Sequence, residues 1–348
     1  MRCSGLYVYK ICLSLFVIIF LPLATGLDGT AQPPAPLAKR KIQKSSVDTS
    51  VPLTTLFFSP VIYNTGGYDP AWVTVGDVNG DGKPDLLVAN ARGDAKTAFS
   101  ASTIGVLLGN GDGTFQSPLI VNSGGSYLHS VLLADVNHDG RLDILAANGC
   151  TLIGQGVCSD EGGIGVLLGN GDGTFSTAVD YNTGGFGYTG LTLSAVDVNG
   201  DGNLDLIVLN NCSSPCDAND PPQGSVSVML GNGKGAFQSP SVYASGGYVS
   251  SGLAVADLNA DQELDVVVAN VCGNANVVNC TTPGFLNVLL GSGNGTLQTS
   301  VPYASGGQGA STVTVADLNS DGIPDLIEGI AGQTGAEAYR RTVAWESS

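Results

Sequence analysis

The stretch "DVNGDGKPD", Asp77 to Asp85, sets oxygen-bearing side chains at positions 1, 3, 5 and 9 of nine residues, with Gly82 at position 6. Carboxylates this close repel one another unless a cation joins them. Side-chain oxygens at 1, 3 and 5, a backbone carbonyl at 7 and a glycine for the sharp turn are the first half of a calcium loop. Here the last carboxylate comes at 9 rather than 12 and leads straight into the apolar run "LLVA". A ligand set of hard oxygens, without nitrogen or sulfur, favours Ca2+ over Mg2+ or a transition metal.

The pattern occurs five times. The sets are Asp77/Asn79/Asp81/Asp85, Asp135/Asn137/Asp139/Asp143, Asp197/Asn199/Asp201/Asp205, Asp257/Asn259/Asp261/Asp265 and Asp317/Asn319/Asp321/Asp325. Up to five Ca2+ ions are therefore expected. The competing reading is that Asp and Asn only shape Asx turns, but turns alone do not demand three carboxylates in nine residues. In the fourth loop Gln262 stands where the others have glycine. A non-glycine residue at positive φ is strained by roughly 1 kcal/mol, so this loop is expected to be the weakest site. His138, inside the second loop, is expected to point into solvent.

The acidic loops recur in steps of 58, 62, 60 and 60 residues. A second signature, "VLLGNGDGTF" at 106–115, returns at 166–175, as "VMLGNGKGAF" at 228–237 and as "VLLGSGNGTL" at 288–297. Lys234 in the third copy is incompatible with a cation ligand at that position, so this signature reads as a hairpin turn. A third, "YNTGG" at 63–67, returns at 181–185 and, altered, as "VNSGG", "YASGG" and "YASGG". Each period holds four short β-type runs, in the first copy "WVTVGDV", "LLVAN", "IGVLLGN" and "SPLIVN". Four antiparallel strands per ~60 residues make one blade of a β-propeller, and ring packing buries the apolar faces of successive blades. The fold class is thus all-β, a propeller of four-stranded blades, with repeats starting near residues 71, 131, 191, 251 and 311. "RTVAWE" falls where a third strand of the fifth repeat belongs, and "LFFSPVIYNTGG" can supply the fourth and close a five-bladed ring. A truncated chain, a longer array or an incomplete ring with exposed edges is the alternative.

From Val51 onward 28 acidic residues stand against 7 basic ones, a net charge of −21 that repels nucleic acid and attracts cations. Five divalent ions would bring it to about −11. Residues 1–31 read as an export signal, with Arg2 and Lys10 ahead of "ICLSLFVIIFLPLA" and small residues for cleavage after Ala31. An uncleaved signal anchor is the rival, and the sole route to a membrane. Residues 32–51, rich in Pro and Lys, read as a flexible linker, and 52–348 as the propeller. Cys150 with Cys158, Cys212 with Cys216, and Cys272 with Cys280 form three local couples, each starting seven residues after the last aspartate of an acidic loop. That layout is expected of loop-stapling disulfides in an oxidising compartment; free thiols or a zinc site are the alternatives. The chain is expected to be secreted or on the cell surface.

"DVNGDGKPDLLVAN" followed by "VLLGNGDGTF" closely resembles the FG-GAP/VCBS-type repeat, found in the β-propeller of integrin α chains and in many secreted bacterial proteins. The resemblance covers about residues 52–330. It implies a propeller with calcium in loops at the blade edge, held by the aspartates and asparagines named above. Members include adhesion and carbohydrate-binding modules and some propellers with polysaccharide lyase activity.

The catalytic inventory is thin. His129 and His138 are the only histidines, no Ser-His-Asp or Cys-His arrangement can be proposed, and the few Lys and Arg side chains are scattered. The reading is therefore a calcium-binding adhesion or recognition module for an extracellular polysaccharide or surface protein, and not an enzyme. Its alternatives are a structural spacer and, further off, a polysaccharide lyase. "RGD" at Arg92–Asp94 could mimic an adhesion ligand or be a chance tripeptide. Tyr63, Tyr181, Tyr243 and Tyr303, beside the Gly-Gly segments, suit either sugar stacking or packing between blades.

Overall fold

In each repeat a near-continuous apolar run such as "LIVL" or "VVVA" is flanked by turn residues, the pattern of a strand covered on both faces. The computed structural model describes residues 61–94, 101–153, 157–158, 161–213, 223–273, 283–305, 309–330 and 341–343. All belong to the second of the chain's two compact units, Val61–Ser348. The expected leader and linker, and the 52–60 part of the closing segment, lie outside the described residues.

The described residues are all-β. The first sheet is β1 (Tyr68–Gly76), β2 (Asp85–Arg92), β3 (Thr103–Leu107) and β4 (Leu119–Asn122), each antiparallel to the next. The second is β5 (Gly125–Ala134), β6 (Asp143–Ile153), β8 (Gly163–Leu167) and β9 (Val179–Asn182), with the short β7 (Val157–Cys158) paired to the end of β6. The third is β10 (Phe186–Val196), β11 (Asp205–Cys212), β12 (Ser225–Met229) and β13 (Ser241–Ala244). The fourth is β14 (Tyr248–Ala256), β15 (Asp265–Cys272), β16 (Phe285–Leu289) and β17 (Val301–Ala304). The fifth has three strands, β18 (Ala310–Ala316), β19 (Asp325–Ile330) and β20 (Arg341–Val343). β20 falls within "RTVAWE", where the repeat calls for it. These are the blades of a β-propeller.

The core lies between sheets rather than within one. Four apolar clusters join sheet 1 to 2, 2 to 3, 3 to 4 and 4 to 5. Leu87 and Ile144 meet in the first, Leu145 and Leu206 in the second, and each is fully buried. Each such side chain contributes roughly 1.5–3 kcal/mol by leaving water. The outer strands β4, β9, β13 and β17 alternate with three of four residues exposed, so the sheets fade to solvent at the rim. The closing strand is not formed among the described residues. Val61 to Asn64, the counterpart of an outer strand, lies outside every ladder, with Val61 and Ile62 71% and 93% exposed. Among the described residues the outer edge of the fifth sheet is the three-residue β20.

A polar set that the periodicity conceals threads this core. Asn90, Asn148, Asn210 and Asn270 occupy one position of β2, β6, β11 and β15, and each is at most 1% exposed. Asn210 Oδ1 accepts the hydroxyl of Thr183 (2.7 Å), which ends the preceding blade, while its Nδ2 donates to Ser227 Oγ (2.9 Å). Ser123 donates in the same way to Asn148 (2.7 Å), and Ser245 to Asn270 (3.3 Å). The Ser or Thr of these three Gly-Gly segments therefore ties one blade to the next, through an amide that supplies both a donor and an acceptor, while Asn90 donates instead to the Thr65 carbonyl. The fifth blade has Ile330 at this position. Asn210→Leu keeps the volume but removes the best acceptor of the Thr183 hydroxyl and the donor to Ser227. It is expected to cost about 2–3 kcal/mol, read as a lower urea midpoint at unchanged slope.

Candidate metal centre

The acidic loop joins the first and second strands of each blade, and the same hydrogen bonds shape it five times. At position 1, Asp77, Asp135, Asp197, Asp257 and Asp317 each accept the N–H of position 6 at 2.8–2.9 Å. At position 3, Oδ1 of Asn79, Asn137, Asn199, Asn259 and Asn319 accepts the N–H of position 5 at 2.9–3.0 Å. At position 5, Oδ1 of Asp81, Asp139, Asp201, Asp261 and Asp321 accepts the N–H of position 7 at 2.8–3.0 Å. Three side chains are thereby fixed around one tight turn by backbone donors. These donors hold the carboxyls of Asp81 and Asp201 below the ordinary carboxylate range, through the N–H of Lys83 and Asn203, and that of Asp317 through Gly322.

Positions 3 and 5 also meet each other, which their reading as two independent ligands did not include. Nδ2 of Asn137 donates to Oδ2 of Asp139 and Asn199 to Asp201, both at 3.2 Å, while Asn259 donates to Asp261 at 2.8 Å and Asn319 to Asp321 at 2.9 Å. The amide supplies the positive hydrogen that the neighbouring carboxylate would otherwise take from a cation. An ion bound through that second carboxylate oxygen must displace the amide or share the oxygen with it. In the first loop Lys83 takes the place of the amide, with Nζ 3.2 Å from Asp81 Oδ2.

The fourth predicted ligand does something else. Asp85, Asp143, Asp205 and Asp265 are fully buried at the first residue of the second strand. Asp85 Oδ2 accepts the N–H of Val78 (2.9 Å) in its own loop, and Oδ1 the N–H of Gly109 (2.8 Å), beyond the third strand. Asp143 does the same with Val136 and Gly169, Asp205 with Val198 and Gly231, and Asp265 with Leu258 and Gly291. Asp325 keeps the loop half, from Leu318 at 2.9 Å. Burial pushes the carboxyls of Asp143, Asp205 and Asp265 up; the N–H bonds oppose the shift, and the two aspartates of the same loop add to it. Position 9 is a clasp between the acidic loop and the "GNGDGTF" turn. The first glycine of that turn is required because a side chain at Gly109 would strike the carbonyl of Pro84, and at Gly231 that of Leu204.

The turn itself is built as read. Asp112 Oδ1 accepts the N–H of Thr114 at 2.9 Å, and in the third copy Asn232 receives Lys234 N instead at 2.8 Å. It also docks on the preceding blade, where Gly173 N donates to Val78 O (3.2 Å) and Gly235 N to Val136 O (3.1 Å). His138 is exposed, as expected, and its ring Nε2 also lies 3.3 Å from Asn203 Oδ1 in the next acidic loop, so it reaches across two blades.

Two positions of the loop are left-handed, not one. Position 6 has φ of 72–85° and includes Gln262; position 4 has φ of 60–72° and holds Gly80, His138, Gly200, Ala260 and Ser320. The fourth loop alone carries non-glycine residues at both, so the strain expected from Gln262 is doubled by Ala260.

No three His, Cys, Asp or Glu side chains gather as a metal-holding group among the described residues. Asp77/Asn79/Asp81, Asp135/Asn137/Asp139, Asp197/Asn199/Asp201, Asp257/Asn259/Asp261 and Asp317/Asn319/Asp321 each bring together two carboxylates and a carboxamide around the turn. Asp85, Asp143, Asp205, Asp265 and Asp325 instead turn inward to backbone N–H groups. The outward donor set still fits a hard divalent cation: the asparagine and both aspartates present oxygen, and carboxylate and amide oxygens keep a lone pair beyond each N–H bond. Among the described residues a basic countercharge lies beside the first two loops, Lys83 at 3.2 Å from Asp81 and Arg141 at 3.8 Å from Asp139. Both ion pairs are exposed and contribute little.

Other expected residues separate cleanly. Tyr63 packs edge-on against Phe115 (5.4 Å) and Tyr181 against Phe237 of the next blade (5.7 Å), which is the packing role. Arg92 of the RGD tripeptide is committed to Asp69 across β1 and β2, at 2.6 Å. Cys150, Cys212 and Cys272 are buried at or near the ends of β6, β11 and β15; Cys216 and Cys280 lie outside the described residues.

Loop and clasp are expected to separate under mutation. Asp205→Ala strands the N–H groups of Val198 and Gly231 and is expected to cost about 2–5 kcal/mol, with or without calcium. Asp201→Ala should leave the melting curve in chelator near that of the parent and remove part of any rise with calcium. Gln262→Gly should add about 1 kcal/mol in urea unfolding by relieving positive φ.

The FG-GAP-like repeat family matches residues 93–146, 156–208 and 273–327, and the FG-GAP repeat residues 70–107. No curated protein sequence matches the chain. Among solved structures it resembles the Bacillus licheniformis rhamnogalacturonan lyase PL11, at 16% identity and a TM-score of 0.46, over 78% of this chain and 50% of that one. The V. cholerae biofilm matrix protein Bap1 gives 19% identity and a TM-score of 0.36 over 73% and 42%. The Photorhabdus luminescens Tc holotoxin pore gives 16% and 0.37 over 79% and 11%. The chain thus spans between a tenth and a half of the length of these proteins. No helix of the described residues is long and apolar enough to cross a membrane.

Proposed function

Because the chain belongs to the FG-GAP repeat proteins, we propose that it is an extracellular calcium-binding β-propeller that recognises a polysaccharide or a surface protein. The observation that carries the calcium reading is the repetition of one donor geometry. In all five loops, oxygens at positions 1, 3 and 5 are pre-set by backbone N–H groups. Asp77, Asn79 and Asp81 and their four counterparts would hold the ions, with the carbonyl at position 7. Bound calcium would supply positive charge that offsets carboxylate repulsion along one end of every sheet.

The recognition reading rests on topology. In an antiparallel blade the acidic loop and the "GNGDGTF" turn share one end of the sheet, and the variable connection between the second and third strands falls at the other. Loop variation at one end of a rigid scaffold is where recognition residues concentrate. Three local disulfides, Cys150–Cys158, Cys212–Cys216 and Cys272–Cys280, would staple these connections. Their support is that Cys150, Cys212 and Cys272 are buried at or near the ends of β6, β11 and β15, and that the register sets Cys158 opposite Leu152, two residues from Cys150. Such bonds belong in an oxidising compartment.

Melting in millimolar calcium against excess chelator tests the first half. A rise of about 10 °C or more is expected, since one site filled at a thousand times its Kd adds about 4 kcal/mol. Superimposable curves would remove calcium from the account. A capture screen on glycans and matrix proteins tests the second half. Binding by the calcium-loaded protein that is lost when the 214–222 and 274–282 connections are exchanged for short turns supports recognition. No binding at all favours the spacer.

A further inference from the structure

The innermost strands β1, β5 and β10 are each the edge of their sheet, so one row of their backbone N–H and C=O groups is not used by any ladder. They converge on a cavity of about 350 Å³ lined by Trp72 and Thr74 of β1, His129 and Ser130 of β5, and Leu191 and Thr192 of β10. Trp72 is 43% exposed, a large indole left open at the cavity. Bulges in the register re-aim the side chains here, between Pro70 and Trp72 on β1 and between Leu128 and Ser130 on β5. Ser130 Oγ donates to Leu191 O at 3.2 Å, so two of the three walls are fixed to each other.

We propose that this cavity binds a neutral saccharide end, with Trp72 as the stacking platform. The inference rests on the recognition role proposed above and names where one ligand sits. The lining decides the class. Among the described residues the lining holds no Asp, Glu, Lys or Arg, and His129 is its one titratable side chain, so a charged ligand finds no fixed counter-ion and loses hydration. A purely apolar ligand leaves the edge-strand N–H and C=O groups facing the cavity and the Thr74 and Thr192 hydroxyls without a ligand partner. A sugar ring satisfies both demands: its hydroxyls donate and accept, and its C–H face lies on the indole. The volume stands at the low end of small-molecule sites, about 300–1,000 Å³, which suits a chain end rather than an internal run of polysaccharide. An extended peptide paired to an inner edge strand is the competing occupant.

The chain has two tryptophans, so Trp345→Phe leaves Trp72 as the sole indole. That variant, calcium-loaded, would be titrated with glucose, galactose, mannose, rhamnose, N-acetylglucosamine and their short oligomers while indole emission is followed. A saturable change with at least one of them is expected, together with about tenfold weaker calorimetric affinity in Trp72→Ala and an intermediate loss in Trp72→Phe. The inference is overturned by a silent indole across the panel, by a response only to uronic acid oligomers or peptides, or by affinity unchanged in both Trp72 variants. Capture of a glycan or protein through the variable connections with a silent indole overturns the cavity alone and leaves the proposed function standing. No binding of any kind removes both.

Discussion

A buried carboxylate whose two oxygens each accept a backbone N–H is the contact on which every complete blade depends. Asp85, Asp143, Asp205 and Asp265 join the acidic loop to the turn after the third strand, two segments some two dozen residues apart in sequence. The contact fixes the end of the sheet at which the loop lies. It places the "GNGDGTF" turn so that its later glycine reaches the preceding blade, as Gly173 reaches Val78 O and Gly235 reaches Val136 O. Bonds of this kind are strong because water is excluded from them. Removing the carboxylate does not merely lose them, since it leaves two donors buried without partners.

The same nine residues therefore divide their labour. Position 9 is turned inward and belongs to the fold; positions 1, 3 and 5 are turned outward and belong to the candidate ion. The outward oxygens are held by N–H groups of their own loop, which accounts for the left-handed backbone at positions 4 and 6. Glycine answers that demand in the first and third loops at both positions. The fourth loop, with Ala260 and Gln262, keeps the hydrogen bonds and absorbs the strain. At the opposite ends of the sheets a second polar device, the buried asparagines with the Ser or Thr of the Gly-Gly segments, ties blade to blade. Between these two polar layers lie the apolar clusters.

Much of this was legible in the sequence. The spacing of the acidic loops, the Lys234 swap and the third strand in "RTVAWE" each had a physical reason that the structure repeats. What escaped did so because residue type and periodicity are silent on direction. Asn90 and its counterparts look like residues closing a strand, and only the packing of the next blade shows them to be interior. The aspartate at position 9 has the spacing of a ligand, and only the approach of Gly109 shows it to be a clasp. Asn259 and Asp261 read as two separate oxygen donors, and only the turn of the amide shows one bonded to the other. His138 stands in an exposed loop, and its bond to Asn203 depends on a residue 65 positions away. The signal that could have found the asparagines of the core is their recurrence five residues after the last aspartate, in four repeats and not the fifth.

The division of labour within the loop is tested most directly by amide hydrogen exchange in chelator and in calcium. The N–H groups of Gly109, Gly169, Gly231 and Gly291, which meet the clasp, should exchange as slowly as the core strands under both conditions. Those at positions 5, 6 and 7 of each loop should be slowed by calcium. Clasp amides that exchange at loop rates in chelator and gain protection only with the ion would contradict the account, because position 9 would then serve the metal and not the fold.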